Sequence, residues 1–122
     1  FCRLIIANAL KYINEDAELI LIHVVESASA RILGHQVADT ETDHDRDQLI
    51  RYQQQLAEKG INSSFELGYR NPTREIVRIC RERNVDLLIM GAHGHQAFFD
   101  FIYGQTIDAV RHQLEVPVLI VN

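Results

Sequence analysis

At 122 residues the chain has the length of one domain, and folding at that size buries about two-thirds of the surface an unfolded chain exposes. With 47% hydrophobic and 24% charged residues, 6 Gly and 2 Pro, the composition is globular and excludes a disordered, linker-like or collagen-like chain. Twelve Lys+Arg against seventeen Asp+Glu leave a net charge of −5, the wrong sign for a nucleic-acid face. The apolar runs around Leu19–Val25 and Val116–Val121 are too short to span a bilayer.

In chain order, Ile5, Ile6, Ala9, Leu10 and Ile13 recur at helical spacing over residues 4–14, and Asn14 with Asp16 closes the run. Glu18–Glu26 holds a nearly continuous apolar run rich in β-branched residues, the pattern of a strand buried on both faces. Residues 27–41 show no period and read as a loop. Thr42–Lys59 reads as a long polar helix with Leu49, Tyr52, Leu56, Ile50 and Ala57 inward, and Gly60 fits the residue just past its C-cap. Ile61–Leu67 alternates weakly, as a strand near a sheet edge does.

Asn71-Pro72 is a helix start with a mechanism, since Asn caps and Pro is pre-set for the first helical position. Ile76, Val77, Ile79 and Cys80 then form an apolar stripe through about Arg83. The arginines at 74, 78, 81 and 83, interleaved with Glu75 and Glu82, read as a solvated face. Val85–Met90 is a buried strand ending at Gly91. A helix is expected from about Thr106 to Leu114, and Val116–Val121 is the last strand, with Pro117 near its start.

Strands alternating with helices imply crossover connections, hence an α/β fold with an open, mainly parallel sheet and helices on both faces. The series opens on a helix where this architecture opens on a strand, so a first, central strand is expected ahead of Phe1 and the whole of 1–122 reads as one domain lacking it. Cys2 and Cys80 are isolated thiols without metal-ligand spacing, which suits a reducing, cytoplasmic setting.

Ligands of open α/β sheets sit beyond the carboxyl ends of the strands. The stretch after Val85–Met90 lies there and reads Gly91-Ala92-His93-Gly94, nine residues, then Gly104-Gln105-Thr106. Glycines let backbone amides approach an anion, and a helix beginning just after Gly104 would favour negative charge at its start. A tight turn alone explains Gly91 and Gly94 equally well.

The spacing Gly-x2-Gly-x9-Gly resembles the phosphate-binding signature of the universal stress protein family. The likeness extends over Leu19–Glu26, Gly68 through Asn71-Pro72 to Glu75-Ile76, Asp86–Gly94 and Pro117–Val121. It implies a five-stranded parallel sheet, homodimers often formed through the last strand, and binding of ATP or another adenine nucleotide. By position it places Val24 at the adenine or ribose, Met90 and Gly91 at the sugar, and Gly94, His95, Gly104, Gln105 and Thr106 around the phosphates. Two departures stand out: the family's first strand ends in an Asp that has no counterpart here, and Gln105 replaces the usual Ser or Thr.

The competing readings are weaker in pattern. His93 and His95 are a candidate metal pair, and Asp39, Glu41, Asp43, His44, Asp45 and Asp47 a candidate cluster, yet spacing supplies no further fixed ligands, and no metal is expected. His23 reads as a satisfied core histidine, and His35 and His112 point to nothing specific. No catalytic constellation is present; slow ATP hydrolysis at the glycine loop is the most the pattern allows. Phe98, Phe99, Phe101, Ile102 and Tyr103 read as core packing, with a partner surface as the alternative. The principal expectation is thus a regulatory nucleotide-binding domain that signals through dimer or partner contacts. The alternative is a non-nucleotide interaction domain of the same fold, part of a larger transporter or signalling protein.

Overall fold

The computed structural model describes the backbone of residues 2–25, 40–91 and 97–121, and the side chains of 3–25, 43–91 and 104–121. Its elements alternate as expected: α1 (Cys2–Ala9), β1 (Glu18–Val25), α2 (Thr40–Glu58), β2 (Asn62–Tyr69), α3 (Pro72–Glu82), β3 (Leu88–Gly91), α4 (Ala97–Gln113) and β4 (Val118–Val121). They fall into two compact units, Asn14–Ile79 and the combination of Phe1–Ile13 with Cys80–Asn122.

In the Asn14–Ile79 unit, β1 and β2 pair in parallel from Glu18↔Asn62 to Val25↔Tyr69. Parallel neighbours need a crossover, and α2 supplies it, packing on both strands. Val25, Leu49, Leu56, Val77 and Ile79 are buried here. Each fully buried aliphatic side chain is worth about 1.5–3 kcal/mol over leaving it in water. Leu49 and Leu56 face inward as their spacing predicts, whereas Ala57 is exposed. Gln53 takes the inner position instead, its Nε2 donating to the Ser63 carbonyl at 3.1 Å.

In the other unit β3 and β4 pair in parallel from Leu88↔Val118 to Gly91↔Val121, and α1 packs against β3. Ala9, Cys80, Leu88, Val110 and Val121 are buried. The four described strands therefore form two parallel pairs. A single sheet would need a strand hydrogen-bonded to both pairs, and none of the four does this.

Helix ends follow local chemistry. After α2, Gly60 adopts φ +76°, its N–H reaching the Ala57 carbonyl and that of Ile61 the Leu56 carbonyl, both at 3.0 Å. This is the Schellman arrangement, with Gly at the left-handed position. Asn84, at φ +48°, does the same after α3: Asn84 N–H bonds to Arg81 O and Val85 N–H to Cys80 O. That bond holds Val85 in the cap, so β3 starts later than its apolar run suggests. Asn71 caps α3 as expected, its Oδ1 accepting from the Arg74 N–H at 3.0 Å.

Candidate functional site

Met90 and Gly91 end β3, half-buried and paired with Ile120 and Val121. They occupy the carboxyl end of a parallel strand, where open α/β sheets receive ligands. The next candidates, Gly94 and His95, lie outside the described residues, as do His93 and residues 27–39; so do the side chains of Glu41 and of Phe98, Phe99, Phe101, Ile102 and Tyr103.

Gly104, Gln105 and Thr106 differ from expectation. The last helix starts at Ala97, not near Thr106, so the three residues sit inside α4 and not at its start. Glycine is tolerated within a helix at a cost, and reading Gly104 as a breaker placed the boundary too late. A Cβ added at Gly104 meets nothing within 4 Å, and the residue is exposed. Gly104→Ala is therefore expected to raise stability by about 1 kcal/mol, the usual Gly-to-Ala gain in an exposed helix interior. Thermal melting of the nucleotide-free protein checks this; a drop in midpoint would show that Gly104 is not helical.

Val24 lies on β1, in the Asn14–Ile79 unit, half-buried and opposite Gly68 in the register. Its neighbour His23 is hydrogen-bonded, with Nε2 2.9 Å from Asp45 Oδ2, but its side chain is 38% exposed and so does not lie in the core as expected. Asp45 belongs to the acidic cluster weighed as a metal site, and stands one helical turn before Leu49 on the same face. Its carboxylate is turned in toward the strand.

Glu75 is the second acidic group that the sequence reading left at the surface. Its Oε2 accepts from the Tyr69 N–H at 3.1 Å and from Arg78 Nη2 at 3.0 Å, while Oε1 accepts from Arg78 Nε at 3.0 Å. The Arg78 hydrogen bonds, aided by the Tyr69 N–H and the charges of Arg78 and Arg74, hold the Glu75 carboxyl below its ordinary value against the opposing effect of burial. This side chain ties the end of β2 to the first turns of α3. Cys80 is a free, buried thiol whose pKa burial pushes up, so it is unreactive near neutrality. Among the described residues no group of three or more His, Cys, Asp or Glu is arranged to hold a metal ion.

The sequence model of the Universal stress protein family matches residues 6–122. The chain belongs to the universal stress protein family. Universal stress protein Slr1230 of Synechocystis sp. is 34% identical over 64 residues, 52% of this chain but only 22% of that protein. Universal stress protein MJ0577 of Methanocaldococcus jannaschii is 23% identical over 124 residues, covering 86% of this chain and 76% of its own. The solved structure of MJ0577 matches with a TM-score of 0.79 at 22% identity, over 98% of this chain and 85% of that one. A universal stress protein from Archaeoglobus fulgidus, solved in complex with dAMP, matches with a TM-score of 0.56 at 16% identity, over 87% and 98%. At these identities the structural likeness establishes a shared α/β fold of the Rossmann-like kind. No helix among the described residues of this universal stress domain is long and apolar enough to cross a membrane.

Proposed function

We propose that this chain is a single regulatory domain that binds ATP or another adenine nucleotide and signals through contacts within a homodimer or with a partner, in the cytoplasm. The observation that carries the reading is Met90-Gly91 at the carboxyl end of a parallel strand, leading directly into the Gly-x2-Gly-x9-Gly stretch. The dAMP complex of the Archaeoglobus fulgidus relative supports the ligand class. In this reading Met90 and Gly91 flank the sugar, and Gly94, His95, Gly104, Gln105 and Thr106 lie toward the phosphate. Val24 enters on the family resemblance alone.

The reading also takes the sheet to be one open, five-stranded parallel sheet with helices on both faces. Two contacts support the helix placement. Side chains alternate between faces along a strand, so His23, which meets Asp45 of α2, and Gly68, which meets Glu75 of α3, project to opposite sides of the β1–β2 pair.

Isothermal titration with AMP, ADP, ATP and cyclic AMP, alongside native mass spectrometry, tests the proposal. A dimer mass carrying nucleotide, with saturable heat, is the expected result; flat heats for all four nucleotides would overturn it. A second reading, an interaction domain without nucleotide, is favoured by the passage of α4 through Gly104-Gln105-Thr106. It predicts a bare dimer and flat heats.

A further inference from the structure

We infer that the outer edge of β2 is a guarded interaction surface: Gln53 and Glu75 keep it from pairing with the same edge of a second copy of the chain. All the residues involved belong to the Asn14–Ile79 unit.

β2 pairs with β1 on one side, and no other described strand lies against it. Along a strand, the backbone groups of successive residues point to alternate sides. Three hydrogen bonds fix which residues of β2 point away from β1. Gln53 Nε2 donates to the Ser63 carbonyl at 3.1 Å. At the other end the Tyr69 N–H donates to Glu75 Oε2 at 3.1 Å, and the Tyr69 carbonyl accepts from the Asn71 N–H, also at 3.1 Å. Ser63 and Tyr69 have the same parity. Ser63, Phe65, Leu67 and Tyr69 therefore turn their N–H and C=O groups outward, and Ser64, Glu66 and Gly68 turn theirs toward β1.

Such an outward row is a template for another strand. Every copy of the chain carries the same row, so two copies can join it to itself in antiparallel fashion about a two-fold axis. Centred on Glu66, that pairing sets Phe65 opposite Leu67, and Ser63 opposite Tyr69, of the second copy. Each is a hydrogen-bonded pair whose members exchange both N–H···O bonds. The guards sit on the outer of these pairs. The Tyr69 N–H that has to reach Ser63 is already bound to Glu75, Gln53 stands at the Ser63 carbonyl that has to receive it, and the Tyr69 carbonyl is bound to Asn71. Moving the register by two residues still brings Ser63 or Tyr69 into a pair. Glu66 acts in the same direction, because the two-fold places it opposite its own counterpart, and like charges directly opposite destabilise a strand pair. What remains open is the stretch from Phe65 to Leu67, shorter than the strands from which stable sheets are built.

Amide hydrogen exchange followed by NMR on the parent chain tests the edge, and sedimentation of a variant tests the guards. In the parent, the Phe65 and Leu67 amides are expected to exchange at least about tenfold faster than those of Ser64, Glu66 and Gly68, with Tyr69 protected by Glu75. Equal protection all along β2 means that a strand already covers this edge, and overturns the inference. In Gln53→Leu/Glu75→Leu both guards are gone while α2 and α3 keep good helix formers. The expected result is a concentration-dependent species of twice the parent's mass in which the Phe65 and Leu67 amides become protected. A folded double variant that keeps the parent's mass at every concentration overturns the guarding role, as does association that leaves those two amides unprotected. Glu75→Gln is the control for the weakening of the fold, since its amide oxygen still accepts from Tyr69. It is expected to keep both the parent's mass and the protection of Tyr69; loss of that protection removes Glu75 as a guard. The exchange pattern of the parent decides the matter even where the double variant does not fold.

Discussion

Glu75→Ala is expected to destabilise the protein by about 1–3 kcal/mol, the cost of leaving a partly buried N–H without its acceptor. The N–H in question is that of Tyr69, which donates to Glu75 Oε2. Losing the Arg78 pair adds less, because Arg78 is 41% exposed and water screens it. Glu75→Gln separates the two contributions: its amide oxygen still serves the Tyr69 N–H, but the charge toward Arg78 is gone. Its cost should be about half that of the Ala variant. The charge also sets a pH dependence. The folded protein holds the Glu75 carboxyl below its ordinary value of 4.5, so the unfolded chain takes up the proton first as pH falls. The stabilisation is fully present above that ordinary value and is lost as pH drops through it and then through the lower folded value. Urea unfolding of the parent and of Glu75→Gln from neutral pH downward should show two stabilities that converge below about pH 4.5. A constant gap down to acid pH would remove the charge from the explanation.

Much of this architecture was legible in the sequence because its signals are local. The eight-element order follows from runs such as Leu19–Val25 and from stripes such as Ile76, Val77, Ile79 and Cys80. Gly60 and Asn71-Pro72 mark helix ends by chemistry that acts within a few residues. The failures share the opposite property. Glu75 beside Arg78 looks from sequence like any surface pair at three-residue spacing. Its partner at Tyr69 is visible only once the chain has turned the corner at Arg70, a non-glycine at φ +76°. Asp45 looked like one carboxylate among many, although its four-residue offset from Leu49 was a usable signal that it faces inward. Strand pairing is longer-range still, and alternation alone could not predict that the described strands would form the pairs β1–β2 and β3–β4.

The glycine signature was the most informative motif and also the place where local rules conflicted. Gly104 next to Gln105-Thr106 suits either a turn before a helix or a weak point within one. The difference is functional. A turn would present its amides to a phosphate, whereas the helix of the structure uses them internally. The family likeness therefore identifies the fold, whereas the path of α4 through Gly104-Gln105-Thr106 is read only from the structure.

Gly68→Ala has the other large effect, with an expected loss of about 1–3 kcal/mol, as overpacking in a tight core usually costs. Gly68 is buried, and a Cβ added there lies 2.7 Å from Glu75 Cβ and 3.2 Å from both its Cγ and its Oε2. Because the closest atom is the Cβ, fixed to the α3 backbone, rotating the Glu75 side chain cannot relieve the contact. The helix itself must move away from β2. That movement would stretch the 3.1 Å bond from the Tyr69 N–H to Glu75, so the two variants are energetically coupled. A double-mutant cycle in denaturant resolves how. In Gly68→Ala/Glu75→Ala the conflict between the two Cβ atoms persists, and much of the Gly68→Ala cost should remain. In Gly68→Ala/Glu75→Gly no Cβ is left to meet, and the added cost of Gly68→Ala in that background should vanish, even though Gly at position 75 weakens the helix by about 1 kcal/mol. Equal costs of Gly68→Ala in all three backgrounds would mean that strand flexibility, not the approach of Glu75, sets the demand for glycine. The expected pattern instead ties this glycine to Glu75, and through Glu75 to the junction that joins the carboxyl end of β2 to the start of α3.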